Sequence, residues 1–133
     1  MKYVFLNLEI FTGIPRNEFY EMLNNATVCC IPLKSKAPCG LYVMQHTILQ
    51  NIPIVSTETF SMRTIIPNDD CGYLMPMDDI QGMSEKVQML MDNEVMRNKL
   101  TGNALANFDK FSPKKVGKQL CDSIESYLKS FKD

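Results

Sequence analysis

Chemistry in this sequence gathers at two places where a short β-prone run gives way to a polar turn. The first runs from Leu33 to Leu41 through Lys34-Ser35-Lys36-Ala37-Pro38-Cys39-Gly40, ahead of a helical stretch. Gly40 lets the backbone come close to a ligand, and the free N–H groups of a helix starting at Leu41 attract anions such as phosphate. Lys34 and Lys36 precede the glycine and either meet that phosphate or are simply solvated. The second place is Ser56-Thr57-Glu58-Thr59, a hydroxyl-rich segment expected to be flexible. Ligands of open α/β sheets sit outside the carboxyl ends of the strands, so both junctions qualify, although every α/β protein has such loops. The single histidine, His46, falls a turn and a half into the helix after Gly40, opposite the Leu41/Met44/Ile48 stripe. It reads either as a flank histidine or as a hydrogen-bond partner.

Complete catalytic constellations do not occur. No serine stands in a nucleophile elbow, no Cys–His spacing suggests a thiol enzyme, and neither G-x-G-x-x-G nor a Walker lysine motif is found. The five cysteines (Cys29, Cys30, Cys39, Cys71, Cys121) form no C-x-x-C pair, which with one histidine speaks against zinc. Their odd number suggests free thiols in a reducing compartment, with Cys29 and Cys30 on opposite faces of a strand. Met1 to Glu9 is too short an apolar run for a signal peptide and no stretch is long enough to span a bilayer, so a cytoplasmic location is expected.

The elements that must position these residues follow from periodicity. Lys2–Ile10 is expected to form a buried strand, and Pro15 to open a helix ending near Asn24. Thr27–Leu33 is apolar without alternation, as in a strand covered on both faces. A helix over Leu41–Gln50, a strand at Ile54–Ser56, a helical turn within Ser61–Ile66 and a strand at Gly72–Leu74 follow. Asp79 caps a helix with Ile80, Met83, Val87, Leu90 and Met91 on one face. Glu94–Asn107 repeats the pattern with Val95, Leu100 and Ala104. Ser112-Pro113 launches a last helix with Val116, Leu120, Ile124, Leu128 and Phe131 on one side. Strands alternating with helices predict one α/β domain over residues 1–133, with a parallel sheet of four strands. The 133 residues, 45% apolar and 22% charged, suit such a domain, and the formal net charge of −1 gives no reason to expect nucleic acid as a partner.

The segment order from Phe19 to Leu128 resembles the C-terminal domain of the GT-B glycosyltransferases called group 1. The family's A-D-V helix end and strand ending in proline are matched by Asn25-Ala26-Thr27-Val28-Cys29-Cys30-Ile31-Pro32. Its E-G-F-G-L loop and L-E-A-M-A helix correspond to Pro38-Cys39-Gly40-Leu41-Tyr42-Val43-Met44-Gln45-His46, and its G-x-P-V-V strand to Asn51-Ile52-Pro53-Ile54-Val55-Ser56-Thr57. A Thr-Arg-Glu-like turn at Met62–Ile66, Gly72-Tyr73-Leu74-Met75-Pro76 for G-x-L-x-P, Asp79–Met83 for D-x-x-x-L, and Phe111-Ser112-Pro113 for F-S-W complete the series.

The resemblance implies a Rossmann-like layered parallel sheet with helices on both faces, the donor-binding half of a GT-B fold truncated at its N-terminus. It implies transfer of a sugar from a nucleotide-sugar, with retention and without a bound metal or other cofactor. The acceptor is a polysaccharide, glycolipid or other glycan, reached through an N-terminal domain missing from this chain, and peripheral membrane contact of the full-length enzyme is compatible with it. The chain by itself is expected to be inactive, because the family's phosphate-clamping Arg and Lys lie on elements it lacks. The implied donor-binding residues are Cys39, Gly40, Leu41, Gln45, His46 and Thr57; catalytic residues are not assigned. The family's two glutamates fall on Pro38 and His46, or in a register shifted by one on Ala37 and Gln45, so neither carboxylate is present. His46 or Gln45 would then hold the donor hydroxyls. Two alternatives are a GT-B-type sugar-nucleotide epimerase and a degenerate, non-catalytic or partner-binding domain.

Overall fold

The computed structural model describes residues 2–5 and 7–131, with side chains from residue 7 onward. Its centre is a parallel sheet of three strands, β3 (Cys29–Ile31), β4 (Ile54–Thr57) and β5 (Tyr73–Met75), in spatial order β3-β4-β5. Cys30 pairs with Val55 and Ser56 with Leu74, so the central strand β4 is paired along both edges. Two hydroxyls reinforce the β3–β4 seam: Ser56 Oγ donates to the Ile31 carbonyl at 3.0 Å, and Leu33 N–H donates to Thr57 Oγ1 at 2.9 Å.

The amino-terminal segment differs from its sequence reading. Lys2–Ile10 is not one buried parallel strand. β1 (Lys2–Phe5) and β2 (Leu8–Phe11) form an antiparallel hairpin, in which Val4 pairs with Glu9. The polar pair at Asn7 and Glu9 breaks the apolar run, and Leu8, Ile10 and Phe11 are exposed. The parallel sheet therefore has three strands, not four. β3 is the edge strand of this sheet, and it is not covered on both faces as expected: Ile31 is buried while Cys30, pointing to the opposite face, is exposed.

Alternation along β4 sends side chains to two cores. Ile54 packs with Ile31 and Leu74, under Met44 and Ile48 of α2 (Leu41–Leu49) and Met62, Ile65 and Ile66 at α3 (Phe60–Ile65). Val55 packs on the other face with Tyr73, Leu90 of α4 (Ile80–Asp92) and Leu100 of α5 (Glu94–Phe108). Helices thus cover both faces, and α5 serves both cores through Leu100 and Ala104. Side-chain caps set the starts: Thr59 accepts from Met62 N–H, Asp79 from Gly82 N–H and Asn93 from Met96 N–H, at 2.9–3.2 Å. Arg97 donates to the Leu90 and Met91 carbonyls at the end of α4, and Asn107 to the Ile65 carbonyl at the end of α3, satisfying groups a helix terminus leaves open.

The expected apolar faces are only partly buried. Ile80 and Val95 are 81% and 80% exposed, because each sits in the first turn of its helix ahead of the part that reaches the sheet. α1 (Arg16–Asn24) buries Leu23. α6 (Pro113–Lys129) follows a 3₁₀ turn at Asp109–Phe111 and buries none of its residues, so Val116, Leu120, Ile124 and Leu128 are exposed although periodicity placed them on a packing face. No helix among the described residues is long and apolar enough to cross a membrane.

All five cysteines are free, and they differ in burial: Cys71 is buried and Cys29 half-buried, whereas Cys30, Cys39 and Cys121 are exposed. Burial pushes the Cys29 and Cys71 thiols above their ordinary range, which lowers the thiolate fraction at any given pH. Iodoacetamide labelling of the native protein near neutral pH, read by peptide mass spectrometry, is expected to modify Cys39 and Cys121 first and to spare Cys29 and Cys71 until the chain is unfolded. Gly40 has φ of +77°, and a Cβ there would stand 2.7 Å from Met62 Cε and 3.1 Å from Ile31 Cγ2. Since left-handed backbone costs an ordinary residue about 1–2 kcal/mol, Gly40→Ala is expected to lower stability by at least that amount in urea unfolding.

Candidate functional site

The carboxyl ends of β3, β4 and β5 open onto the loop Pro32–Gly40, the segment Glu58–Thr59 and the turn before α4. Short local bonds shape the first loop. Ala37 N–H donates to Ser35 Oγ at 3.1 Å, and Cys39 N–H donates to the Ala37 carbonyl at 2.7 Å. Gly40 then takes the left-handed conformation at the N-cap of α2, and its carbonyl accepts from Met44 N–H at 3.0 Å. The helix terminus expected from the strand–glycine–helix order is therefore at the carboxyl edge of the sheet. Gly40 has an internal reason for being glycine as well, since its bare Cα lies against Ile31 and Met62.

Three hollows line this edge and its flank. One of about 450 Å³ lies between α2, α3 and the end of α5, with Leu41, Gln45, Phe60, Ser61, Thr64 and Phe108 among its walls. A second, about 390 Å³, is lined by Lys36, Glu58, Thr59, Phe60 and Arg63. The Arg63 guanidinium grips Glu58 Oε1 there through Nε at 2.9 Å and an Nη at 2.7 Å. The third, about 350 Å³, lies between Pro32, Leu33, Lys34, Thr57 and the start of α4.

The six expected donor-binding residues do not converge on one point. Leu41 and Gln45, one turn apart on α2, share the 450 Å³ hollow. Thr57 borders the 350 Å³ hollow but is only 2% exposed, and its hydroxyl accepts from Leu33 N–H. Its segment is thus ordered by the β3–β4 seam. Cys39 is exposed in the loop. His46 turns away from Gln45, toward α1. Tyr20 Oη lies 3.3 Å from His46 Nε2, and the Tyr20 and Tyr42 rings stand 4.8 and 4.4 Å from the imidazole. Tyr20 and Tyr42 are also hydrogen-bonded through their hydroxyls, which pushes the Tyr20 phenol above its ordinary range. Phe60, Ser61 and the Tyr20–Tyr42 pair are not site candidates in the sequence, and Arg63 and Thr64 enter it only within the Met62–Ile66 turn. The signal for Phe60 is the polar run Thr57–Thr59 passing directly into it, which gives no indication of the ring's exposure.

Chemically, the edge offers helix N–H groups, an amide, several hydroxyls and the cations Lys34, Lys36 and Arg63, beside the carboxylates Glu58, Asp78 and Asp79, a set suited to binding a polar ligand. Among the described residues, no group of three or more His, Cys, Asp and Glu is arranged to hold a metal ion. The profile of the family described as glycosyl transferases group 1 matches residues 6–106, which takes in the sheet, its crossover helices and the walls of all three hollows except Phe108 and Phe111. No curated protein matches the chain. Because that match spans well over half of the 133 residues and coincides with a Rossmann-like α/β core whose strand ends open onto the Gly40 loop, the chain belongs to the group 1 glycosyl transferases.

Proposed function

We infer that this chain provides the donor-binding wall of a GT-B-type glycosyl transfer, holding a nucleotide-sugar at the carboxyl edge of its parallel sheet. The observation that carries this reading is the Gly40 junction, a left-handed glycine delivering α2 to the strand ends in a chain of a glycosyl-transferring family. Backbone N–H groups at the start of α2, with Lys36 and Arg63 of the neighbouring hollow, would stabilise the diphosphate leaving group as the glycosidic bond to the donor breaks. The sugar would pass, with retained configuration, to a polysaccharide, glycolipid or other glycan approaching from across the cleft. No resident cofactor is needed in this scheme.

The two registers of the family's second glutamate now differ in geometry. Gln45 faces the 450 Å³ hollow beside Leu41, whereas His46 lies among Tyr20 and Tyr42. We assign the ribose contact to Gln45, whose amide both donates and accepts. A second reading, a domain of the same family that has lost catalysis, is favoured by one observation: the glutamate positions hold Pro38 and His46, or Ala37 and Gln45, in either register.

Calorimetric titration with nucleoside diphosphates tests both. The parent chain is expected to bind saturably. Gln45→Ala should weaken binding by about 0.5–1.5 kcal/mol, the net value of one hydrogen bond, while Gln45→Glu retains it and His46→Ala leaves it unchanged. A folded parent that binds no nucleoside diphosphate would remove the donor-binding reading and leave the non-catalytic one. Loss of binding in His46→Ala with full binding in Gln45→Ala would reverse the assignment.

A further inference from the structure

Phe60 is the most exposed large apolar side chain among the described residues, at 90%. Exposure of one ring is ordinary in itself; its position is what matters. Phe60 is a wall of two adjoining hollows with different chemistry. On one side Leu41 and Phe108 are apolar, and Gln45, Ser61 and Thr64 add an amide and two hydroxyls. That space, about 450 Å³, falls in the roughly 300–1,000 Å³ range of small-molecule sites. On the other side Lys36 and Arg63 face Glu58, two cations against one carboxylate, and Glu58 already holds Arg63 at 2.7 Å. The second hollow therefore keeps a net positive charge.

An aromatic ring between a hydrogen-bonding apolar space and a cationic one matches a ligand with a flat heteroaromatic face joined to phosphates. A free sugar would use the ring and the amide but leave the cations without an anion. Inorganic phosphate would satisfy the cations and leave the ring uncovered. We propose that Phe60 is the stacking residue for the nucleobase of the donor, with the base over the ring, the ribose toward Gln45 and the diphosphate directed to Lys36 and Arg63. The proposal rests on the donor-binding reading above and adds to it the side chain that holds the base and the direction in which the nucleotide lies.

The chain contains no tryptophan, so Phe60→Trp introduces a single fluorophore at the proposed contact. Its emission is expected to be quenched by uridine or guanosine diphosphate, saturating at the concentrations that titrate the parent calorimetrically. Phe60→Ala, at an exposed position that leaves the core untouched, is expected to weaken nucleoside diphosphate binding by roughly tenfold, as loss of a base–aromatic stack does. Binding of inorganic pyrophosphate should be the same in parent and alanine variant. Equal nucleoside diphosphate affinity in parent and Phe60→Ala overturns the stacking assignment while the donor-binding reading stands. So does an unchanged tryptophan signal when calorimetry shows binding. Quenching by a sugar 1-phosphate but by neither nucleotide assigns the ring to the sugar and overturns the base assignment. A parent that binds none of the nucleotides removes both proposals together.

Discussion

Gly40 lies against two other parts of the fold, β3 with its exit at Ile31 and Leu33, and α3 at Met62, whose side chains an added Cβ would approach within 2.7–3.7 Å. That close approach, made with a left-handed backbone, brings α2 down onto the sheet at the strand ends. Met44 and Ile48 can then reach Ile54 across the core, and Leu41 and Gln45 come to border the space beside α3. The packing and the proposed ligand geometry have a common origin here. A side chain at position 40 would push against the hydrophobic core and displace the helix terminus at the same time.

Much of this architecture was legible because its signals are local and redundant. Asp79 capping α4, Pro113 opening α6 and the β-branched run at Ile54–Val55 each describe an element without reference to the rest of the chain. The segments that misled were those whose fate depends on partners. Lys2–Ile10 has the composition of a strand, but nothing local distinguishes a parallel central strand from two arms of a hairpin. Val116, Leu120, Ile124 and Leu128 repeat at helical spacing, and that spacing does not tell whether another surface covers them. Within the site, Gly40 was visible from its flanking elements. The separation of Gln45 from His46 was not, because neighbouring helix positions diverge by about 100°, and which one faces the ligand depends on where α1 and α3 lie.

The seam between β3 and β4 explains the behaviour of the second expected loop. Ser56 and Thr57 look like solvent-facing ligands in sequence, yet both hydroxyls bind backbone groups of the neighbouring strand and its exit, Ile31 and Leu33. An edge strand of three residues gains from such bonds, since its own ladder is short. Hydroxyls there hold β3 in register, and the polar groups that remain to face solvent come from the next residues along, Glu58 to Ser61.

α6 is a straight rod about 25 Å long by its rise per residue, attached through Ser112 and Pro113 and braced near its base by the ion pair of Lys115 with Asp109. Phe111, a wall of the aromatic hollow, stands immediately before that attachment. The Phe108 and Phe111 rings, 5.8 Å apart, belong both to the rim of the hollow and to the base on which the rod stands, so a substitution at either ring alters the seat of the helix and the wall of the cleft together.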